Sequence, residues 1–511
     1  MNFIYFIAGC LFWGSIIFVL FLFRYKSWLH SETIENMGRR QKILLLSAAG
    51  FVVLACILPM GVSPSWNGEL PDHRNQYEVM AEAVLNGHFY MDYDDVDPRL
   101  LEMDNPYDPE ERTRLGVNFH WDHAFYDGHY YMYFGIVPVF LLFLPYRIVT
   151  GMSLMTYHAT QIFVGMFIVG IFVLFHFLIK KFFRRLTFGM YLALSSAFAV
   201  MSIWYSIAAP SLYCTAITSG LCMEVWSLYF FAKSVWGEAG QVSRKSIFYA
   251  FLGSLFGALA FGCRPPVALA NIAVIPMLAE YLKNKKMDFR LFGQLTAAAL
   301  PYVVIGILLM AYNYVRFDSP FEFGQTYQLT LADQSSYGNF FDQFDLVNVL
   351  NGVVSNLISF SPVKKEFPYI SLNGALVNFP ILCFAAVSMA QEGVREQLKK
   401  LNIRNLTIVF FMLPFVITMT DVLWSPFIGE RYRMDIYWIM GVTSFIFIGI
   451  CYMQKPETSK RKFSFVMTNW ALITIFTCML LYCVPNDLNF TEPFFLENVE
   501  RIKKILALGF V

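Results

Sequence analysis

Apolar runs of about 20 residues, the length a helix needs to cross a bilayer, follow one another along most of the chain, separated by short charged connections. Twelve runs meet that length: 3–23, 43–62, 154–179, 186–208, 212–235, 246–263, 266–282, 291–315, 374–391, 405–423, 435–453 and 464–484. They predict an all-α polytopic membrane protein. A further apolar run, Met132 to Tyr146, is short and carries Pro138 and Pro145, which interrupt helix hydrogen bonding. It is predicted to be an interfacial or re-entrant segment ending near Arg147. Broken backbone at that depth needs protein or a wet cavity beside it, so the segment is expected to roof or line a cavity. One long polar stretch interrupts the pattern, from Ser63 to Tyr133, and it holds 15 of the 37 acidic residues and five of the eight histidines. Within it Tyr77, Met80, Ala81, Val84 and Leu85 recur at helical spacing after Asp72 and before Gly87, which predicts a short helix lying on the membrane.

Composition agrees with the pattern. Of the 511 residues 57% are hydrophobic, 18% aromatic and 15% charged, and the mean hydropathy is +0.51. A net charge of +1 leaves no basic excess for a nucleic-acid partner. The nine cysteines lie almost entirely within apolar runs, with no CxxC pair, and read as small core residues. The run Asn2 to Phe23 has no basic residue ahead of it and extends past 20 residues, so it reads as a retained helix and not as a signal peptide.

Where the charges lie sets the expected topology. Lysine and arginine cluster at 24–42, 180–185, 244–245, 283–290, 395–404 and 455–462, and such connections face the cytoplasm. Both termini and the loops 63–153, 316–373 and 424–434 then fall on the outer face, and the two long outer loops are expected to pack on each other. The organisation expected is an extra helix and cytoplasmic loop over 1–42, a membrane domain over 43–455, and a last helix with an amphipathic outer-face tail over 456–511.

Candidate chemistry gathers in these outer loops. Asp72 and Glu78 flank the start of the short helix, where partial desolvation raises a carboxyl pKa and suits a general base. Read singly, one caps a helix and the other is a solvated charge. Asp122 stands in Trp121-Asp122-His123, ahead of Tyr130 and Tyr131, and aromatics interleaved with carboxylates equip a protein to hold sugars. Asp122 and His123 could instead ligate a divalent cation with His120 or His129, or Asp92 to Asp97 could hold calcium, though loop histidines and an incomplete acidic loop are weak signals. Arg264, in Gly-Cys-Arg-Pro-Pro, and Arg431 and Arg433, in Glu430-Arg-Tyr-Arg-Met-Asp435, are guanidiniums at the outer boundary able to hold a phosphate. Glu224 is a lone acid near the middle of the fifth run, a costly placement.

The charged first loop, the phrase GHYYMYFGIVPVFLLFLPY, the RPP pair, YNYVRFDSPFEFGQTYQL and ERYRMD together resemble bacterial polytopic glycosyltransferases of the GT-C superfamily, similar to the family-39, lipid A aminoarabinose and protein O-mannosyl transferases. The resemblance covers residues 43–455. It implies an inverting transferase at the outer face that takes sugar from a polyprenyl-phosphate donor to a glycan, lipid or protein acceptor, with no cofactor. By position it implies Asp72, Glu78 or Asp122 as base, Arg264, Arg431 and Arg433 on the lipid phosphate, and His123, Tyr130, Tyr131 and Glu430 along the substrate. The adjacent Asp-Glu pair of that pattern is replaced here by Asp72-His73-Arg74, which leaves the base open among the three carboxylates. A flippase of lipid-linked glycans, or a catalytically silent assembly protein, is the alternative. Transporters carry repeats and midplane charges, whereas here the charges collect in the loops.

Overall fold

A computed structural model describes residues 3–35, 37–61, 75–237, 242–283, 285–337, 345–424, 429–488 and 493–510. In chain order its main helices are α1 (Phe3–Leu22), α2 (Arg39–Met60), α3 (Gln76–Leu85), α4 (Val139–Thr150), α5 (Thr156–Phe182), α6 (Phe188–Ala208), α7 (Leu212–Trp236), α8 (Arg244–Phe261), α9 (Pro265–Leu282), α10 (Phe289–Phe317), α11 (Leu346–Ile358), α12 (Pro380–Met389), α13 (Glu392–Lys400), α14 (Arg404–Trp424), α15 (Arg433–Gln454), α16 (Glu457–Tyr482) and α17 (Pro493–Leu506). The protein is a multi-pass, all-α membrane protein. Among the described residues nine helices are long and apolar enough to cross a bilayer.

α6 and α15 form the centre and are buried almost all round. Small residues let them approach their neighbours. A Cβ on Gly441 of α15 would stand 3.1 Å from the Cβ of Phe198 on α6, and Phe175 of α5 stacks on Phe445 of α15 at 3.8 Å. Ser202 donates to Phe198 O at 2.6 Å and Thr443 to Ile439 O at 2.7 Å, bonds within the helix that suit an apolar surrounding. α2, α5, α7, α14 and α16 pack against them, and α8 and α10 extend the bundle outward from α7. The C-terminal helix α17 packs along α1, where Trp13 Nε1 donates to Leu506 O at 3.0 Å.

Three of the twelve expected spans differ. The runs at 212–235 and 246–263 are the continuous helices α7 and α8, whose charged and polar residues leave them outside the nine. The run 374–391 is not one helix. A turn at Ala375–Asn378 stops at Phe379, which is non-helical at φ −127°, ψ 73°, and α12 starts at Pro380. Proline disfavours helical backbone in the residue before it, which accounts for the break.

The run 132–146 also departs from expectation in detail. Pro138 starts α4 and the helix continues through Pro145 by way of a π turn over Val139–Phe143, so Pro145 does not end it. At 12 residues α4 is about 18 Å long, well short of the hydrocarbon core. It packs on α3, the short helix expected after Asp72.

The first loop builds its own core. A hairpin of β1 (Ala124–Tyr126) and β2 (His129–Tyr131) turns at Asp127-Gly128, both with positive φ as that tight turn demands. The second long loop lies against it, as expected: Phe125 N donates to Tyr327 O at 2.9 Å and Leu329 N to His123 O at 2.9 Å. Two buried arginines clamp the pair. Arg112 donates to Pro106 O and Thr330 O, and Arg316 to Met132 O at 2.7 Å.

Candidate functional site

The clamped loops bury one carboxylate against the top of the bundle. Asp122 precedes β1 at φ +57°, in the left-handed region where aspartate is better tolerated than most residues. Its N–H donates to Leu329 O at 3.1 Å and its carbonyl accepts from Gln76 Nε2 at 2.9 Å, so α3 and the second loop fix it from two sides. Its Oδ1 accepts from Gln328 Nε2 at 3.0 Å and its Oδ2 from the Tyr213 hydroxyl, on the first turn of α7. Burial pushes the carboxyl pKa above the ordinary aspartate range, while the Tyr213 bond, Arg431 and Gln328 pull against that rise.

Tyr213 links this carboxylate to a cation. The Arg431 guanidinium lies 4.3 Å from the Tyr213 ring centroid, and its Nη1 pairs with Asp487 Oδ2 at 2.8 Å. Tyr205 of α6 donates to the same aspartate. Arg264 occupies the extended residue before Pro265-Pro266, where the following proline favours that backbone. It grips Asp435 of α15 by Nε at 2.8 and 2.9 Å and by Nη2 at 2.6 Å. Arg264 and Arg431 share one ring: their guanidinium carbons lie 4.7 and 5.3 Å from the centroid of Tyr432. Asp421 of α14 adds a further buried carboxylate beside Arg264 and Asp435, with Oδ2 unbonded.

The structure therefore brings Asp122, Arg264 and Arg431 together. Asp72 lies outside the described residues. Glu78 accepts from Thr156 N at 2.9 Å and Thr156 Oγ1 at 3.3 Å, capping α5 in place of a solvated charge. Its pKa too is pushed up by burial. His123 bonds Tyr93 through Nε2 at 2.9 Å and Trp121 O through Nδ1 at 2.9 Å, inside the loop core. Tyr130 and Tyr131 are buried there as well, Tyr131 against Phe317 at 5.3 Å. All three side chains build the loop and present almost no surface. Arg433 turns to the other side of α15 and donates to Asn373 O at 2.7 Å. Glu430 sits in the same 3-10 turn as Arg431, half-buried. His120 bonds Asp95 at 2.8 Å, and among the described residues no three His, Cys, Asp or Glu side chains gather as metal ligands. Asp97, at the end of the acidic stretch, is bound by Arg99 and Asn118 N, which hold it well below the usual carboxylate range.

Five partners escaped the sequence reading: Tyr213, Gln328, Tyr432, Asp435 and Asp487. Gln328 had a signal as part of YNYVRFDSPFEFGQTYQL, and Tyr432 and Asp435 as the remaining residues of ERYRMD; Tyr213 and Asp487 had none.

The whole chain can be set against known proteins. It aligns over 92% of its length with the crystal structure of the oligosaccharyltransferase of Archaeoglobus fulgidus in the apo form, with a TM-score of 0.50 and 13% identity. The structure of an oligosaccharyltransferase of the same organism in complex with an inhibitory peptide and a dolichol-phosphate aligns over 92% with a TM-score of 0.42 and 12% identity. The chain spans 60% of the length of each. No family model and no curated protein sequence matches it. What is shared at such low identity is the fold, an all-α multi-pass membrane fold as expected from the sequence.

Proposed function

We propose that the chain is a glycosyltransferase that moves a sugar from a polyprenyl-phosphate donor to a glycan, lipid or protein acceptor at the outer face of the membrane, with inversion. The observation that carries this reading is the bridge by Tyr213 between the buried Asp122 carboxylate and the Arg431 guanidinium. It supplies a base and a cation within one tyrosine of each other, on a fold shared with an oligosaccharyltransferase.

In this reading the Asp122 carboxylate takes the proton from the acceptor hydroxyl as its oxygen attacks the anomeric carbon. The bond from that carbon to the phosphate oxygen breaks on the opposite side, and the phosphate leaves with the electron pair. Arg431 and Arg264 stabilise the charge that develops there. Asp487 and Asp435 hold the two guanidiniums in place beforehand, so little reorganisation is left for the reaction. A carboxyl pKa raised by burial brings the base closer to the working pH. Glu78 holds the first loop to α5, His123, Tyr130 and Tyr131 shape the loop that buries Asp122, Arg433 ties the start of α15 to Asn373, and Glu430 lies in the turn that carries Arg431.

Reconstitution in liposomes with synthetic polyprenyl-phosphate sugars tests the assignment. Asp122→Asn is expected to lower turnover by about 10²–10⁴-fold, the usual weight of a general base. Arg431→Gln is expected to lower it while Glu78→Gln mainly lowers thermal stability. Asp72→Asn is run alongside. Full turnover in Asp122→Asn with loss in Asp72→Asn would move the base to Asp72.

A further inference from the structure

The middle of the bundle holds a polar node that the proposed reaction does not use. Glu224 of α7 is wholly buried within the bundle. Its Oε1 lies 2.5 Å from Asn271 Nδ2, and its Oε2 has no hydrogen-bond partner. Among the described residues the titratable groups facing it are Tyr302 and Cys263, neither of them a cation. A carboxylate so placed is costly in apolar surroundings unless a counter-charge reaches it.

The surroundings are rich in oxygen. Asn271 lies where α9 tightens into a 3-10 turn over Leu269–Ala273, the kind of local break that often marks a functional position. Its amide nitrogen is approached by three oxygens: Glu224 Oε1, Ala268 O at 2.9 Å and Gly257 O at 3.1 Å. An amide NH₂ has two hydrogens, so one acceptor is in excess. On the other side of the amide, Tyr302 of α10 donates to Asn271 Oδ1, and Ser227 of α7 stands beside them. Gly257 lets α8 pack directly on this cluster, since a Cβ there would collide with Asn271 Oδ1, the Tyr302 hydroxyl and Ser227 Oγ. Four helices thus bring carboxylate, amide, hydroxyl and main-chain oxygens together at a helix break beside a closely packed glycine.

We infer that this node is a binding site for a monovalent metal cation of the sodium type, held by Glu224, Asn271, Ser227, Tyr302 and the carbonyls of Gly257 and Ala268. The donor set is all oxygen, as a hard cation prefers, and its single carboxylate balances one positive charge. Unwound carbonyls beside a buried acid at the midplane are the arrangement by which membrane proteins hold such ions. Rotation of the Asn271 amide turns its oxygen toward the ion and removes the crowding at its nitrogen. The ion would also tie α7, α8 and α10 to α9, whose first residue follows Arg264.

The test uses purified full-length protein and its thermal unfolding in sodium chloride against choline chloride at matched ionic strength and pH. Sodium is expected to raise the melting temperature of the wild type by a few degrees, because an ion that binds only the folded state stabilises it. Glu224→Gln, which keeps shape and removes charge, is expected to lose that response. Binding of radiolabelled sodium to the wild-type protein decides the matter should the variant not fold. Equal melting in the two salts together with no bound sodium would overturn the site, as would a Glu224→Gln protein that still responds to sodium. A wild type that responds to pH in choline but never to sodium would make the node a proton site and refute the metal.

Discussion

Asp122 is held between opposing influences, and its titration reports on them. Burial raises its pKa, while the Tyr213 hydroxyl, Arg431 and Gln328 favour the ionised form. Because the folded pKa is raised, the stability that the neutral carboxyl contributes is fully present below the ordinary aspartate pKa and is lost as pH rises through the folded value. The base works only when ionised, so transfer rises with pH across that same interval while this part of the stability falls. Asp122→Asn should flatten the stability change over that window. Tyr213→Phe removes a bond to the ionised form, so its rate profile should move to higher pH with little change in the rate reached on the plateau. A profile that does not move in Tyr213→Phe would show that the tyrosine does not govern the carboxylate. Asp122 itself could be found in the sequence because it is a lone acid between aromatics in a polar stretch. Tyr213 could not, since it comes 91 residues later within an apolar run and reads there as one more bundle aromatic. Asp487 was equally silent, standing just past the last span with nothing in its neighbours to connect it with Arg431.

Elements carry these residues to one place, and one close fit between two of them depends on a glycine. The strand leading into α4 passes the turn between α8 and α9, where Val137 N donates to Gly262 O at 3.1 Å. A Cβ on Gly135 would collide with the carbonyl oxygens of Gly262 and Cys263, which immediately precede Arg264. Neither side can yield cheaply, since both are backbone. Gly135→Ala is therefore expected to destabilise the protein by about 1–3 kcal/mol, the usual cost of overpacking, seen as a lower melting temperature. It is also expected to weaken donor binding more than turnover, because the turn it displaces carries a phosphate-binding candidate and not the base. Donor KM unchanged in a folded Gly135→Ala protein would count against Arg264 as a phosphate ligand. The elements themselves were mostly legible, since a 20-residue apolar run admits few structures but a helix. The failures came at prolines. Pro380 splits a run that composition alone reads as continuous, whereas Pro145 is absorbed by a π turn that no local signal announces.

At the scale of the molecule the site is a joint between two loops and one end each of helices α7, α9 and α15, so it exists only if both loops lie on one side of the membrane. The charge clusters imply that arrangement, and α4 is the segment on which it turns. Were α4 to cross, every later connection would change sides and the basic run Lys180 to Arg185 would face outward. Its length of about 18 Å argues against crossing, and so does its partner: Arg147, on its last turn, pairs with Glu82 of α3 at 3.3 Å, which holds both ends of the first loop at one level. Cysteine labelling in intact cells gives a direct measure. Seven of the nine native cysteines are buried, so a background with Cys10 and Cys383 replaced by serine has few competing thiols. In that background Arg147→Cys should react with a membrane-impermeant maleimide added from outside, and Arg185→Cys only after the cells are opened. Protection of Arg147→Cys together with outside labelling of Arg185→Cys would reverse the orientation of the bundle from α5 onward. The two long loops would then lie on opposite sides of the membrane, and the joint that brings Asp122 to Gln328, Tyr213 and Arg431 could not form.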